Sequence, residues 1–190
     1  GELKLWKTSD DSMVAQHRLA SGARIFSVAF TPDGQRVLCG DQEGNVRLFD
    51  HQLREIALLP RVPGEVHSVA ALPGGRVAAA GPDGSLHILT LDPPAEVPFS
   101  PDQPGGVHGL KVSPDHTLLA TFNDRGVVFI RRADDLSVLQ RLEFPGVISH
   151  LQFTNDAARL AAVRPAGEII VWNVADGSVA LQLKATPGVN

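Results

Sequence analysis

Cysteine is almost missing from this chain: Cys39 is the single one in 190 residues. That excludes an internal disulfide framework and any cysteine-based zinc site. No apolar run approaches the roughly 18–20 residues that a membrane-crossing helix needs, and no charged-then-apolar leader opens the sequence. A membrane is therefore not an expected partner, and a cytoplasmic location is the expectation. Charge is sparse, at 20% of residues, with 17 Lys+Arg against 21 Asp+Glu and a net charge of −4. Without a basic block, neither nucleic acid nor an anionic membrane surface is indicated as the main partner. With 43% hydrophobic residues, the chain is no disordered acidic tail, and it is long enough to bury a core. What it has in excess is turn chemistry. The 18 glycines and 14 prolines make up about one residue in six, against roughly 12% in ordinary globular chains.

Those turn residues recur with a period. Segments 25–34, 66–75, 107–116 and 148–157 share an apolar run followed by a turn, and their turn residues Pro32, Pro73, Pro114 and Asn155 are each 41 residues apart. A second anchor is a glycine followed by an apolar run, at Gly1, Gly44, Gly84, Gly126 and Gly167, with spacings of 43, 40, 42 and 41. Two independent anchors converge on one period, so the chain is a repeat array. Within the first complete repeat, the short apolar runs 25–30, 36–39, 46–49 and 55–59 are separated by Gly, Pro, Asp or Asn, which reads as strands joined by tight turns. Two stretches have helical features: 135–142, with leucines at 136, 139 and 142, and the alanine-rich 157–162. Both fall in register with strands of the other repeats, and the repeat takes precedence.

Four short strands per 41 residues predict an all-β chain of β-propeller blades, each a four-stranded antiparallel sheet whose faces are covered by neighbouring blades. A partial blade is expected at residues 1–19 and complete blades at about 24–60, 65–100, 106–144 and 147–185. Together they make one propeller region over 1–190. The chain starts and stops within a repeat, so it is expected to be part of a longer propeller. The remaining blades would come from the same longer chain or from another copy. Val28, Leu110 and Phe153 are expected in the core.

The pattern Val-x-Ser-Val-Ala-Phe-x-Pro-Asp-Gly, followed by Gly-x-Val-x-Leu-Phe/Trp-Asp, resembles the WD-repeat propellers. Residues 35–50 and 167–172 carry the likeness best, and 1–6 looks like a third strand of a preceding blade. The repeats are degenerate. The Gly-His dipeptide that the family places before the first strand is missing from every blade. The acidic residue before the third-strand glycine survives only as Glu43 and Asp83, with Arg125 and Ala166 elsewhere. The family's full Asp-His-Ser-Trp tetrad therefore cannot form. Cohesion must rest more on apolar packing. A lactonase-like or surface-layer propeller shares the Pro-Asp-Gly turns and the period, and stands as the alternative.

No residue set points to catalysis. No Gly-x-Ser-x-Gly elbow occurs, and Cys39 sits mid-strand with no basic neighbour in sequence to lower its pKa. The acidic pairs Asp10–Asp11 and Asp134–Asp135 follow third strands, where solvated turn residues are the plain reading. Gly74–Gly75 and Gly105–Gly106 are loop glycines, since no Gly-Lys-Ser/Thr follows them. Arg131–Arg132 is too short for a nucleic-acid patch. His67 and His108 occupy equivalent repeat positions but lack the companion ligands a metal needs, so neither a metal nor any other cofactor is expected. The prolines at 93–94 and within 98–104 mark the stiffest connection, either a rigid linker or a docking loop.

What the resemblance implies instead is a binding surface for a protein or peptide partner, formed by rim loops and first-strand ends. The family's contact positions map here to Arg24, Phe26, Gln42, Glu65, His67, Pro82, His108, Asp124 and Ser149, with Gly106, Val147 and Pro165 completing the sets. The alternative for each is an ordinary rim residue. Phe26 flanked by Arg24 is the best anchor, because aromatics and Arg dominate interface energies. The implied function is a non-catalytic scaffold or sensor module of the kind attached to signalling proteins. A hydrolytic propeller enzyme with a site in its central channel is the second class.

Overall fold

The computed structural model describes residues 1–99 and 106–184. Residues 100–105, which include Pro101, Pro104 and Gly105 of the stiff connection, lie outside the described residues, as do 185–190. The described chain is eighteen strands with one short 3-10 turn at Pro73–Gly75. It falls into two compact units, Gly1–Pro101 and Asp102–Asn190.

The first unit contains a two-stranded sheet, β1 (Glu2–Trp6) with β2 (Met13–Arg18), and two four-stranded antiparallel sheets. One orders β3 (Ile25–Phe30), β4 (Arg36–Asp41), β5 (Val46–Asp50) and β6 (Glu55–Leu58). The other orders β7 (Ser68–Leu72), β8 (Arg76–Ala80), β9 (Leu86–Leu91) and β10 (Pro94–Val97). The second unit holds two more, β11 (Gly109–Val112), β12 (Leu118–Phe122), β13 (Val127–Arg132) and β14 (Val138–Glu143), then β15 (His150–Phe153), β16 (Arg159–Val163), β17 (Ile169–Asn173) and β18 (Val179–Leu183). Every four-stranded sheet is an up-and-down meander with its fourth strand at the edge, the form of a propeller blade. Both stretches with helical features are strands, β14 and β16.

Two recurring devices explain the period. At the third-strand glycine the chain needs positive φ in a crowded place: Gly44 has φ +84, and a Cβ there would sit 2.4 Å from the Val62 carbonyl. Gly126 has φ +78 and would meet the Phe144 carbonyl. Only glycine fits such positions. The turn between first and second strands is closed by a hydroxyl and a carboxylate. Thr31 Oγ1 donates to Asp33 Oδ1 and accepts from the Arg36 N–H at 3.1 Å. Ser113 with Asp115, and Thr154 with Asp156, repeat the clasp.

In β4, alternate side chains serve two interfaces. Val37 and Cys39 pack toward β1–β2 with Leu3, Leu19, Phe49 and Leu53. Leu38 instead joins Val46, Leu48, Val66, Val69 and Ala71 in the core shared with the next sheet. This two-faced burial is why second strands read as almost unbroken apolar runs rather than alternating ones. The seam between those sheets is also hydrogen-bonded, since the Val69 N–H donates to Ser27 Oγ at 3.1 Å. In the second unit, Val128, Ile130, Phe144, Leu151, Phe153, Leu160 and Trp172 form the corresponding core.

One expected core residue is not in the core. Leu110 and Phe153 are each 3% exposed, but Val28 is 57% exposed and Phe30 55%. Their counterparts one repeat later, Val69 and Ala71, are 5% and 4% exposed. The difference lies in the sheet on the preceding side. Val69 faces a complete sheet and packs on Leu38 and Val46. Val28 and Phe30 face the two-stranded β1–β2 sheet, where they line an apolar cavity of about 110 Å3 with Leu3, Leu5, Val37 and Leu53. No strand there stands where β4 stands for Val69.

Candidate interaction surface

The first strands begin at one end of each sheet, and a bulge shapes that end. In β3 the pairing runs Ile25 with Asp41, then Ser27 with Gly40, so Phe26 is the extra residue. In the next sheet the His67 N–H donates to the Ala80 carbonyl while Ala80 pairs with Ser68. His108 does the same opposite Phe122, whose partner is Gly109, and Ser149 opposite Val163, whose partner is His150. In each case two residues stand against one, which bends the strand and re-aims a side chain at its start.

In the first unit this brings together several of the mapped positions. Phe26 is 40% exposed, and its ring meets His67 edge-on at 4.7 Å between centroids. His67 Nε2 in turn lies 2.8 Å from Glu65 Oε2, with both side chains more than a third exposed. Arg24 and Gln42 are both exposed and joined through the backbone, the Gln42 N–H donating to the Arg24 carbonyl at 2.9 Å. Pro82 is exposed in the β8–β9 turn. In the second unit Asp124, Val147, Ser149 and Pro165 are exposed, whereas Gly106 and His108 are half-buried. The Ser149 hydroxyl donates to the Val163 carbonyl at 2.9 Å.

Beneath the first unit's rim lies a residue that the sequence reading passed over. Asp41 is fully buried. Its Oδ1 accepts from the Glu43 and Asn45 N–H groups, each at 2.9 Å, and its Oδ2 from Asn45 Nδ2 at 3.0 Å. Arg47 Nε approaches Oδ2 at 3.4 Å, and Arg47 Nη1 bonds Glu55 at 3.1 Å. Four donors converge on one carboxylate and tie the β4–β5 turn that carries Gln42. Asn123 repeats part of this arrangement, its Oδ1 accepting from the Arg125 and Val127 N–H groups. The available signal was Asp or Asn three residues before the third-strand glycine.

The remaining candidates fall in structural places. Cys39 is buried, and burial, reinforced by the Asp41 charge, pushes its thiol up to about 12. Asp10 and Asp135 close turns by accepting from Ser12 and Ser137. Arg131 is buried and donates to the Leu136 carbonyl at 3.2 Å. Among the described residues, no three His, Cys, Asp or Glu side chains gather as a metal-binding group. Nor is any helix among them long and apolar enough to cross a membrane.

No curated protein matches the chain. Residues 12–50 match the WD domain, G-beta repeat, a span that takes in β2 of one sheet and then β3, β4 and β5 of the next. The same four-stranded blade plan recurs in both units, with its turn clasps and third-strand glycines, so the matched WD-type repeat is one of a series of degenerate repeats of the same build.

Proposed function

We propose that this chain is a non-catalytic protein-interaction module that engages a protein or peptide partner through its first-strand ends and the adjoining loops. Arg24, Phe26, Gln42, Glu65, His67 and Pro82 form the contact set in the first unit. His108, Asp124 and Ser149 occupy the same repeat positions in the second. WD-repeat propellers serve in general as interaction scaffolds, which supports the class. The observation that carries the reading is Phe26, an exposed aromatic ring at a bulge, held edge-on by His67, which is held by Glu65. A ring fixed before binding loses little freedom on contact, the condition for a strong anchor. The uncovered Val28–Phe30 face supports a further proposal, that additional strands, from the same longer chain or from another copy, complete the β1–β2 blade.

The test compares three proteins carrying a photo-crosslinking side chain at Phe26, at Pro82 or at Leu58 on the outer edge strand. A discrete adduct shared by the first two and missing from the third is the expected result. Phe26→Ala should remove the adduct formed from Pro82 while changing stability by no more than about 1.5 kcal/mol, the upper worth of an edge-on ring pair. Equal adducts from Leu58, or a Pro82 adduct unaffected by Phe26→Ala, would refute the assignment.

A further inference from the structure

Every sheet ends in an outer strand: β2, β6, β10, β14 or β18. Such a strand pairs on one side alone, so a row of its N–H and C=O groups points away from the sheet and can template a further strand. Charge and proline at the edge discourage this, and four of the five strands have them. Arg18 stands in β2, Glu55 in β6 with Pro60 just beyond, Pro94 and Glu96 in β10, and Arg141 and Glu143 in β14. β18 is the exception, since the segment from Ser178 to Leu183 has neither charge nor proline. All of β18 is exposed, whereas each other outer strand has at least one half-buried or buried residue.

A bulge is the other protective device, and β18 shares it with β2, β6 and β14. It does not consume the strand. Val171 pairs with Leu181 and Trp172 with Val179, so Ala180 is the extra residue. Beyond it the register is regular, with Leu181, Gln182 and Leu183 opposite Val171, Ile170 and Ile169. Side chains alternate across a sheet, so Leu181 and Leu183 share one face and Gln182 lies on the other. Both leucines are exposed.

We propose that β18 pairs antiparallel with β18 of a second copy of this chain, about a two-fold axis at Gln182. In that register the strand complements itself. Leu181 stands opposite the partner's Leu183, and Leu183 opposite the partner's Leu181, so the exposed leucines cover one another as a cross-strand cluster. Gln182 meets the partner's Gln182, and a side-chain amide both donates and accepts. Lys184 falls opposite the partner's Ala180, so no like charges meet. The corresponding register in β14 would set Arg141 against the partner's Arg141, since Arg141 pairs with Phe129 as Gln182 does with Ile170. Short strands bury less than the roughly 1,200 Å2 at which standard interfaces begin, so the dimer is weak, with an expected Kd of about 10–1,000 μM. Neither the Phe26 rim nor completion of the β1–β2 sheet depends on this edge.

The experiment is sedimentation equilibrium of the full 190-residue chain from about 10 μM to 1 mM, which brackets the expected Kd. A reversible monomer–dimer equilibrium is expected, because a two-fold pairing closes at two copies. Gln182 is exposed, so Gln182→Lys and Gln182→Glu should leave the thermal unfolding midpoint unchanged. Each sets like charges opposite one another at the axis and should weaken association about fivefold or more. An equimolar mixture of the two variants should restore it, since Lys then faces Glu. A chain that stays monomeric throughout, or that forms larger species, would overturn the proposal. So would a mixture no stronger than its components. Association unchanged in Gln182→Lys would also overturn it and would place the contact elsewhere, as with strands of another copy completing the β1–β2 sheet.

Discussion

Val28 and Val69 are the same residue type at the same place in successive repeats, and alanine substitution at each isolates what a neighbouring blade contributes. Removing the two methyl groups of a buried valine costs about 0.8 kcal/mol each in transfer free energy, plus a cavity term. Val69 is 5% exposed and packed among Leu38, Val46 and Ala71, so Val69→Ala should lose about 2 kcal/mol. The Ser27 bond is made by the Val69 backbone and survives the substitution. Val28 is 57% exposed, and Val28→Ala should change stability by no more than about 0.5 kcal/mol, as exposed substitutions do. Urea denaturation followed by circular dichroism measures both, and an unchanged m-value shows that the comparison is sound. Light scattering on the same samples tests whether they are monomeric. An equal loss from the two variants in a monomer would refute the argument that β3 lacks a covering strand. If completing strands are then supplied, Val28→Ala should rise toward the cost of Val69→Ala.

Other outcomes follow from the same structure. Phe153→Ala, in the second unit's core, should cost about 3–5 kcal/mol by denaturant unfolding. Asp41→Ala strips the acceptor from four donors in a buried turn and should cost about 3–5 kcal/mol, while Asp41→Asn, which keeps two acceptor sites' worth of shape, should cost less. The Thr154 hydroxyl, followed by the Ala158 N–H, holds the Asp156 carboxyl below its ordinary value of 3.8. In Thr154→Ala a carboxyl-carbon NMR titration should find it moved back up toward that value. Asp33 and Asp115 are lowered in the same way by Thr31 and Ser113. Stability from these clasps is fully present above the ordinary carboxylate pKa and is lost as pH falls through the lowered one. Acid unfolding should therefore begin at a higher pH when a clasp hydroxyl is removed.

Period and turn chemistry made the strands legible because both arise locally. The third-strand glycines are required by positive φ beneath a crossing carbonyl, and the Ser/Thr–Asp clasps by unpaired turn N–H groups. Each such requirement leaves its own letter in the chain at regular intervals. The exposure of Val28 was not legible for the opposite reason. A repeat position records what a residue packs against in an average repeat, and β1–β2 is not an average neighbour. Asp41 escaped notice because a lone Asp in a turn-rich chain looks like every other turn Asp. Its place three residues before the third-strand glycine was the one sign in the sequence, and burial with four converging donors is what sets it apart.

The family match over residues 12–50 begins on an edge strand of one sheet and finishes three strands into the next. The sequence repeat, as that match frames it, is thus out of phase with the unit that packs. Duplicating such a segment adds an outer strand to an existing blade and three inner strands awaiting a fourth, so each new copy is anchored to its predecessor by covalent chain as well as by apolar contact. The array can lengthen one repeat at a time without a loose seam between the old blade and the new one. For the same reason, an excision that follows the sequence repeat damages two sheets, whereas one that follows the blade damages none. Truncations intended to isolate parts of this chain should end in loops such as the one between β6 and β7, not at the borders of the repeat.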